Sequence, residues 1–169
     1  MYTTIKKYGL YGVISICVLF LATWLLGANL DYGVQEILGY VSIVVSLSFV
    51  FFGIKHFRDH ENNGAVSIGK ALLIGIAISF ITAMAFGILD VIYIKYINPN
   101  FTEEYYARSI EELSKTLPVA EFEIKKAEME SEKELFMSPV MSFIVMSMTV
   151  FIIGFIISLL SALILQRKN

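Results

Sequence analysis

Four stretches of the chain, 8–30, 37–54, 71–89 and 135–166, contain no Asp, Glu, Lys or Arg. The charges crowd into the short segments between them and into 95–134, where they return at nearly every turn. A soluble helix carries charge on its outer face every turn or so; these stretches carry none over several turns, so water is not their solvent. At 1.5 Å per residue they reach about 34, 27, 28 and 48 Å, against about 30 Å of hydrocarbon in a bilayer. Each can span. The runs are continuous and exceed the ten or so residues of a tilted barrel strand, which predicts helices. The last run is too long to lie wholly in the membrane, and Pro139 near its start suits a first helical position. The pattern predicts spans over 8–30, 37–54, 71–94 and 139–165, with an external helical loop over 98–135, in one membrane domain, 1–169.

Lys6 and Lys7 before an apolar run also describe a secretory signal. The uncharged run is long for one, and Leu25 and Leu26 stand where a cleavage site needs small residues, so an uncleaved first span is expected.

Composition sharpens this picture: 57% of the 169 residues are apolar and 17% charged, where soluble domains average about 45–50% and about 25%. Net charge is −2 and no basic patch could follow a phosphate backbone, so nucleic acid is not an expected partner. The one cysteine, Cys17, lies within the first span and reads as a packing residue. With the N-terminus inside, the inner segments 1–7, 55–70 and 167–169 hold seven Lys or Arg in 26 positions, and the outer segments 31–36 and 95–134 hold six in 46. That density predicts both termini in the cytoplasm. Tyr2, Tyr8 and Tyr11 at one level, and Tyr32, Tyr40, Tyr93, Tyr96 and Phe101 at the other, read as interfacial anchors.

The loop 95–134 is acidic, with ten Glu against six Lys or Arg. Thr102 is the expected N-cap of a helix whose first turn carries Glu103 and Glu104. Tyr106, Ile110, Leu113 and Leu117 make one apolar stripe, and Glu104–Arg108 and Glu111–Lys115 are i,i+4 pairs on the wet face. A second helical stretch from Val119, with Glu121 and Lys125 paired, runs toward the fourth span and could continue into it. Packing of this segment over the span ends or headgroups accounts for the stripe; a partner surface is the sharper alternative.

Small residues recur at every fourth position in the third span, at Ala71, Gly75, Ser79, Ala83 and Gly87, and in the fourth, at Gly154, Ser158 and Ala162; Ser42 and Ser46 begin a third row. Such rows let helices approach closely, so spans three and four are expected to pack together or to dimerise. Lys55, Arg58 and Lys70 are candidates for lipid headgroup contact. Gly64, Gly69 and Lys70 echo a phosphate-binding loop, but Ala71 stands where it needs a hydroxyl and a membrane span follows, so no nucleotide is expected. Gly64 reads instead as a turn and Ser67 as a helix cap. His56 and His60 lie four apart without an evident third ligand, so no metal and no cofactor is expected. Asp90 is the candidate polar site: it adjoins a span with one apolar turn beyond it, and a wet interfacial carboxylate near Tyr93, Lys95 and the 31–36 loop is expected there.

The residues GYVSIVVSLSFVFFGIKHFRDHENNGAVSIGKALLIGIAISF and KYINPNF, within 39–101, together with the ending GFIISLLSALILQRKN, resemble the bacterial membrane family known as domain of unknown function 4199. The stretch Gly-Ile-Lys-x-x-Arg-Asp from Gly53, the Ser-x-Gly-Lys-Ala stretch from Ser67, and the segment from Tyr96 to Phe101 carry the likeness. It implies a four-span bacterial inner-membrane protein and no particular activity. The expected fold is all-α, an integral membrane antiparallel four-helix bundle with an external helical loop between spans three and four. The expected function is non-enzymatic: a small assembly or interaction protein that meets itself or a membrane partner through its small-residue faces. A transporter or ion-conducting subunit acting as an oligomer is the alternative, and a lipid-modifying enzyme, lacking a nucleophile or metal set, comes third.

Overall fold

The structure, a computed structural model, describes residues 1–27, 30 and 32–167, with side chains at these positions except 32 and 134–136. Six helices follow one another: α1 (Tyr2–Leu26), α2 (Tyr32–His56), α3 (Ile68–Ile92), α4 (Phe101–Thr116), α5 (Val119–Phe136) and α6 (Pro139–Leu165). α2 and α3 each run on into one π-helical turn, Phe57–Glu61 and Tyr93–Ile97. The described residues form no strand; their one β-type pairing is an isolated antiparallel bridge between Val66 and Arg167. α1, α2, α3 and α6 are long and apolar enough to cross a membrane. The helices outlast their uncharged windows, since Lys6, Lys7 and Lys55 are carried on the same helices. A helix keeps its backbone bonds closed whether its side chains meet hydrocarbon or headgroups, so a hydropathy window marks the solvent and not the helix end.

The chain divides into two compact units, Met1–Phe86 with Ser147–Asn169, and Gly87–Met146. In the first, the interior is built from small and hydroxyl-bearing residues between a few branched ones. Ile16, Leu47, Val50, Ile54, Ile74, Ile78 and Val150 are fully buried beside Ser46, Ser79, Thr82 and Ser158. Large apolar side chains face outward, as Leu10, Ile14, Val18, Leu21 and Leu25 do along one face of α1. Hydrocarbon solvates Leu as well as a protein interior does, so nothing draws these residues inward; close approach of backbones decides which face is buried. Glycines provide that approach. A carbon added at Gly75 would lie 2.7 Å from the Ser158 Cβ, and one at Gly154 2.5 Å from the Ser79 Cβ and 3.2 Å from Leu47. Gly53 meets Ile78 and Tyr8, and Gly12 meets Thr82 and the Ser46 carbonyl. All four long helices therefore contribute to one set of seams.

In the second unit α4 and α5 form a helical hairpin. The helix starts at Phe101, after Asn100, so Thr102 lies inside the first turn instead of capping it, and no side chain caps that end. Rings step along the start of the unit: Tyr93 meets Phe101 edge-on at 5.3 Å, Phe101 stacks on Tyr105 at 6.1 Å, and Tyr105 meets Tyr106 at 5.6 Å. Tyr106 is buried, while Ile110, Leu113 and Leu117 are half-buried. α5 does not continue into α6. It ends at Phe136, and α6 begins afresh at Pro139, whose missing N–H and restriction of Ser138 suit a first helical turn and not a helix interior.

Gly75→Leu and Gly154→Leu should each destabilise the protein by about 1–3 kcal/mol or more through overpacking, read as thermal unfolding in detergent. Gly39→Ala, where nothing lies within 4 Å of the added carbon, should change stability by no more than about 1 kcal/mol.

Candidate functional site

The seven small residues on α3 and α6, Gly75, Ser79, Ala83, Gly87, Gly154, Ser158 and Ala162, are all buried. Their contacts are reciprocal: Gly75 faces Ser158 and Gly154 faces Ser79. The Ser79 and Ser158 hydroxyls sit 3.2 Å apart, and Ser158 also donates to the Gly154 carbonyl at 2.6 Å. These stripes thus join α3 to α6 within one chain. Within this chain the two faces lie against each other and are buried. Ser46 joins α2 to Ser15 of α1 at 3.2 Å, and Ser42 donates to its own helix at the Leu38 carbonyl.

Asp90 lies near the C-terminal end of α3, and its position departs from the wet carboxylate expected of it. It is 7% exposed and accepts a hydrogen bond from the Ser142 hydroxyl of α6, itself 4% exposed. Among the described residues no Lys or Arg pairs with it. Asp31, in the loop expected nearby, and the side chain of Tyr32 lie outside the described residues. The signal for this contact was present in the spacing. Asp90 follows Gly87 by three on the small-residue face of α3, and Ser142 precedes Val150, Gly154 and Ser158 on a row of fours along α6.

Of the basic candidates, Lys55 and Lys70 are exposed, as a headgroup contact requires, and Arg58 is engaged. Its Nε donates to Asp59 at 2.6 Å, and its Nη1 lies 3.5 Å from the carbonyl of Leu165, the last residue of α6. A cation there satisfies an open carbonyl and the negative end of the helix dipole. Around it, Thr4 donates to Glu61, Val66 and Arg167 exchange backbone bonds at 2.9 and 3.0 Å, and Asn62 donates to the Ala65 carbonyl at 2.6 Å. Asn63 and Gly64 adopt positive φ, which makes the turn, and the Ser67 hydroxyl accepts from the Lys70 amide at 3.5 Å. The Gly64–Lys70 segment follows a π turn and leads into α3, with no strand before it. His56 and His60 stack with ring centres 4.7 Å apart, and no group of three or more potential metal ligands forms among the described residues.

On the hairpin, Lys115 pairs with Glu111 at 2.6 Å, holding that carboxyl below its usual range. Lys125 turns to Glu128 at 2.7 Å, and not to Glu121 as the spacing suggested. Its side chain can reach forward or back by one turn, and the Glu-rich stretch after it offers more negative charge. Burial, with Glu132 and Tyr105 nearby, holds the Tyr106 phenol above its usual range.

The family described as "Protein of unknown function (DUF4199)" matches residues 7–167. No curated protein and no solved structure matches the chain.

Arg58→Ala should lower stability in lipid-free detergent by about 1 kcal/mol, the scale of a cation at a helix C-terminus. Lys55→Ala should leave it unchanged. Equal effects in thermal unfolding would remove the distinction between the two residues.

Proposed function

Because the chain belongs to the DUF4199 family, whose description names no activity, we propose from its own geometry that it is a non-enzymatic, multi-pass assembly protein of the bacterial inner membrane, meeting a partner through the α4–α5 hairpin. The carrying observation is the hairpin itself. Helices in bundles are commonly joined by about 2–8 residues, yet here two folded helices, Phe101–Thr116 and Val119–Phe136, stand between α3 and α6. A buried tyrosine and helix-surface ion pairs hold them in shape, and Val119 and Ile124 are exposed on a segment otherwise rich in charge. The small-residue faces are occupied within the chain, so a second copy or another membrane protein would meet this hairpin instead. The non-enzymatic reading is supported by how buried hydroxyls are used: those of Ser42, Thr82 and Ser158 donate to carbonyls one turn back on their own helices. The orientation, with both termini cytoplasmic, is supported by Lys6, Lys7, Lys55, Arg58, Lys70 and Arg167 gathering at the end of the first unit that the Val66–Arg167 bridge closes.

A second reading, an ion-conducting or transporting subunit working as an oligomer, is favoured by Asp90, since an ionisable group buried in a membrane segment marks a functional site by default.

Replacing residues 103–133 by a short flexible linker should abolish crosslinked complexes in membranes while the four long helices stay folded by circular dichroism; unchanged complexes would overturn the assembly reading. Purified protein in liposomes should pass no proton or sodium current above empty vesicles. A flux that disappears in Asp90→Asn would establish the second reading instead.

A further inference from the structure

Within the second unit, the π turn after α3, the first turn of α4 and the corner before α6 form an open cavity of about 240 Å³, lined by Ile94, Lys95, Thr102, Glu103, Met137 and Pro139 among others, with both charged side chains exposed. We propose that this cavity binds the headgroup of a zwitterionic phospholipid carrying a primary amine, that is, a phosphoethanolamine lipid.

The volume falls below the roughly 300–1,000 Å³ of sites that enclose drug-sized ligands. It suits a headgroup whose acyl chains remain outside. The lining contains one residue for each part of such a headgroup. The Lys95 ammonium is a donor for the phosphate, the Glu103 carboxylate an acceptor for the amine, and the Thr102 hydroxyl can serve either. Ile94, Met137 and Pro139 supply an apolar wall for the glycerol and the first methylenes. Neither charge is spent elsewhere in an ion pair among the described residues: Lys95 lies 5.4 Å over the Tyr96 ring, and Glu103 enters no salt bridge. The depth is also appropriate, because the cavity sits at the ends of two membrane-spanning helices, beside Tyr93, Tyr96 and Phe101, and such rings settle at the headgroup level.

The presence of both signs decides the class of lipid. A site with Lys alone would favour an anionic headgroup, and Glu103 makes an anionic lipid without an amine a poorer occupant. A choline headgroup has the charge but no N–H to give a carboxylate.

The test uses the full chain in phosphatidylcholine nanodiscs doped in turn with phosphatidylethanolamine and phosphatidylglycerol, with retained lipid counted by native mass spectrometry after detergent release. Phosphatidylethanolamine should be retained over each of the others by about tenfold, the scale of one charge-assisted hydrogen bond. Glu103→Gln should erase the preference over phosphatidylcholine, Glu103→Asp should keep part of it, and Lys95→Ala should weaken retention of all three lipids. Equal retention of the three by the unaltered protein, stronger retention of phosphatidylglycerol, or a preference that survives Glu103→Gln would overturn the proposal. So would displacement of the lipid by free glycerophosphoethanolamine at equal concentration, which would make a soluble zwitterion the ligand.

Discussion

In hydrocarbon, helices gain nothing by hiding leucine, so what holds this protein together is the closeness with which four backbones can run past one another. The reciprocal contacts of Gly75 with Ser158 and Gly154 with Ser79 set that closeness for α3 and α6, and Gly12 and Gly53 extend it to α1 and α2. The buried hydroxyls follow from the same constraint. Serine and threonine are small enough for a tight seam, and Ser79, Thr82 and Ser158 dispose of their O–H by donating to a carbonyl one turn back or to a hydroxyl across it, whereas the buried Ser147 hydroxyl has no partner among the described residues. The outward ranks of Leu, Ile and Val are the complement of this arrangement and require no partner beyond lipid.

What could be read from the sequence was whatever depends on one helix at a time. Uncharged windows mark where hydrocarbon lies, the rows of small residues mark the buried faces, and Pro139 marks a helix start, because each is a property of local spacing and solvent. What escaped depends on two elements at once. Asp90 looked like a surface carboxylate because its depth along α3 was read alone; the row that carries Ser142 was legible, but the pairing of the two, 52 positions apart, was not. The contact of Arg58 with the Leu165 carbonyl escaped for the same reason, the two standing 107 positions apart. The two π turns left no pattern to find, since one extra residue in a helical turn changes neither composition nor periodicity enough to register. Choices among near-equal partners, such as Lys125 turning to Glu128, rest on energies of a few tenths of a kcal/mol, below what spacing alone resolves.

The two units differ in what stabilises them. The first is a membrane seam of glycine and serine. The second contains a hairpin whose order comes from stacked rings, one buried phenol and exposed ion pairs, the ordinary means of a protein in water. Surface pairs of this kind contribute little each. The proposed assembly role rests on this charged, folded hairpin and on nothing in the first unit.

The pairing of Val66 with Arg167, and of Arg58 with the end of α6, has a consequence for biogenesis. Arg58 and Leu165 are separated by 107 positions, so these bonds cannot form while the ribosome is still delivering the last helix. Until then the amide and carbonyl of Val66 have no Arg167 to bond, while the turn around Asn62–Ala65 closes on its own backbone. Insertion of the final helix is therefore the event that latches this connection.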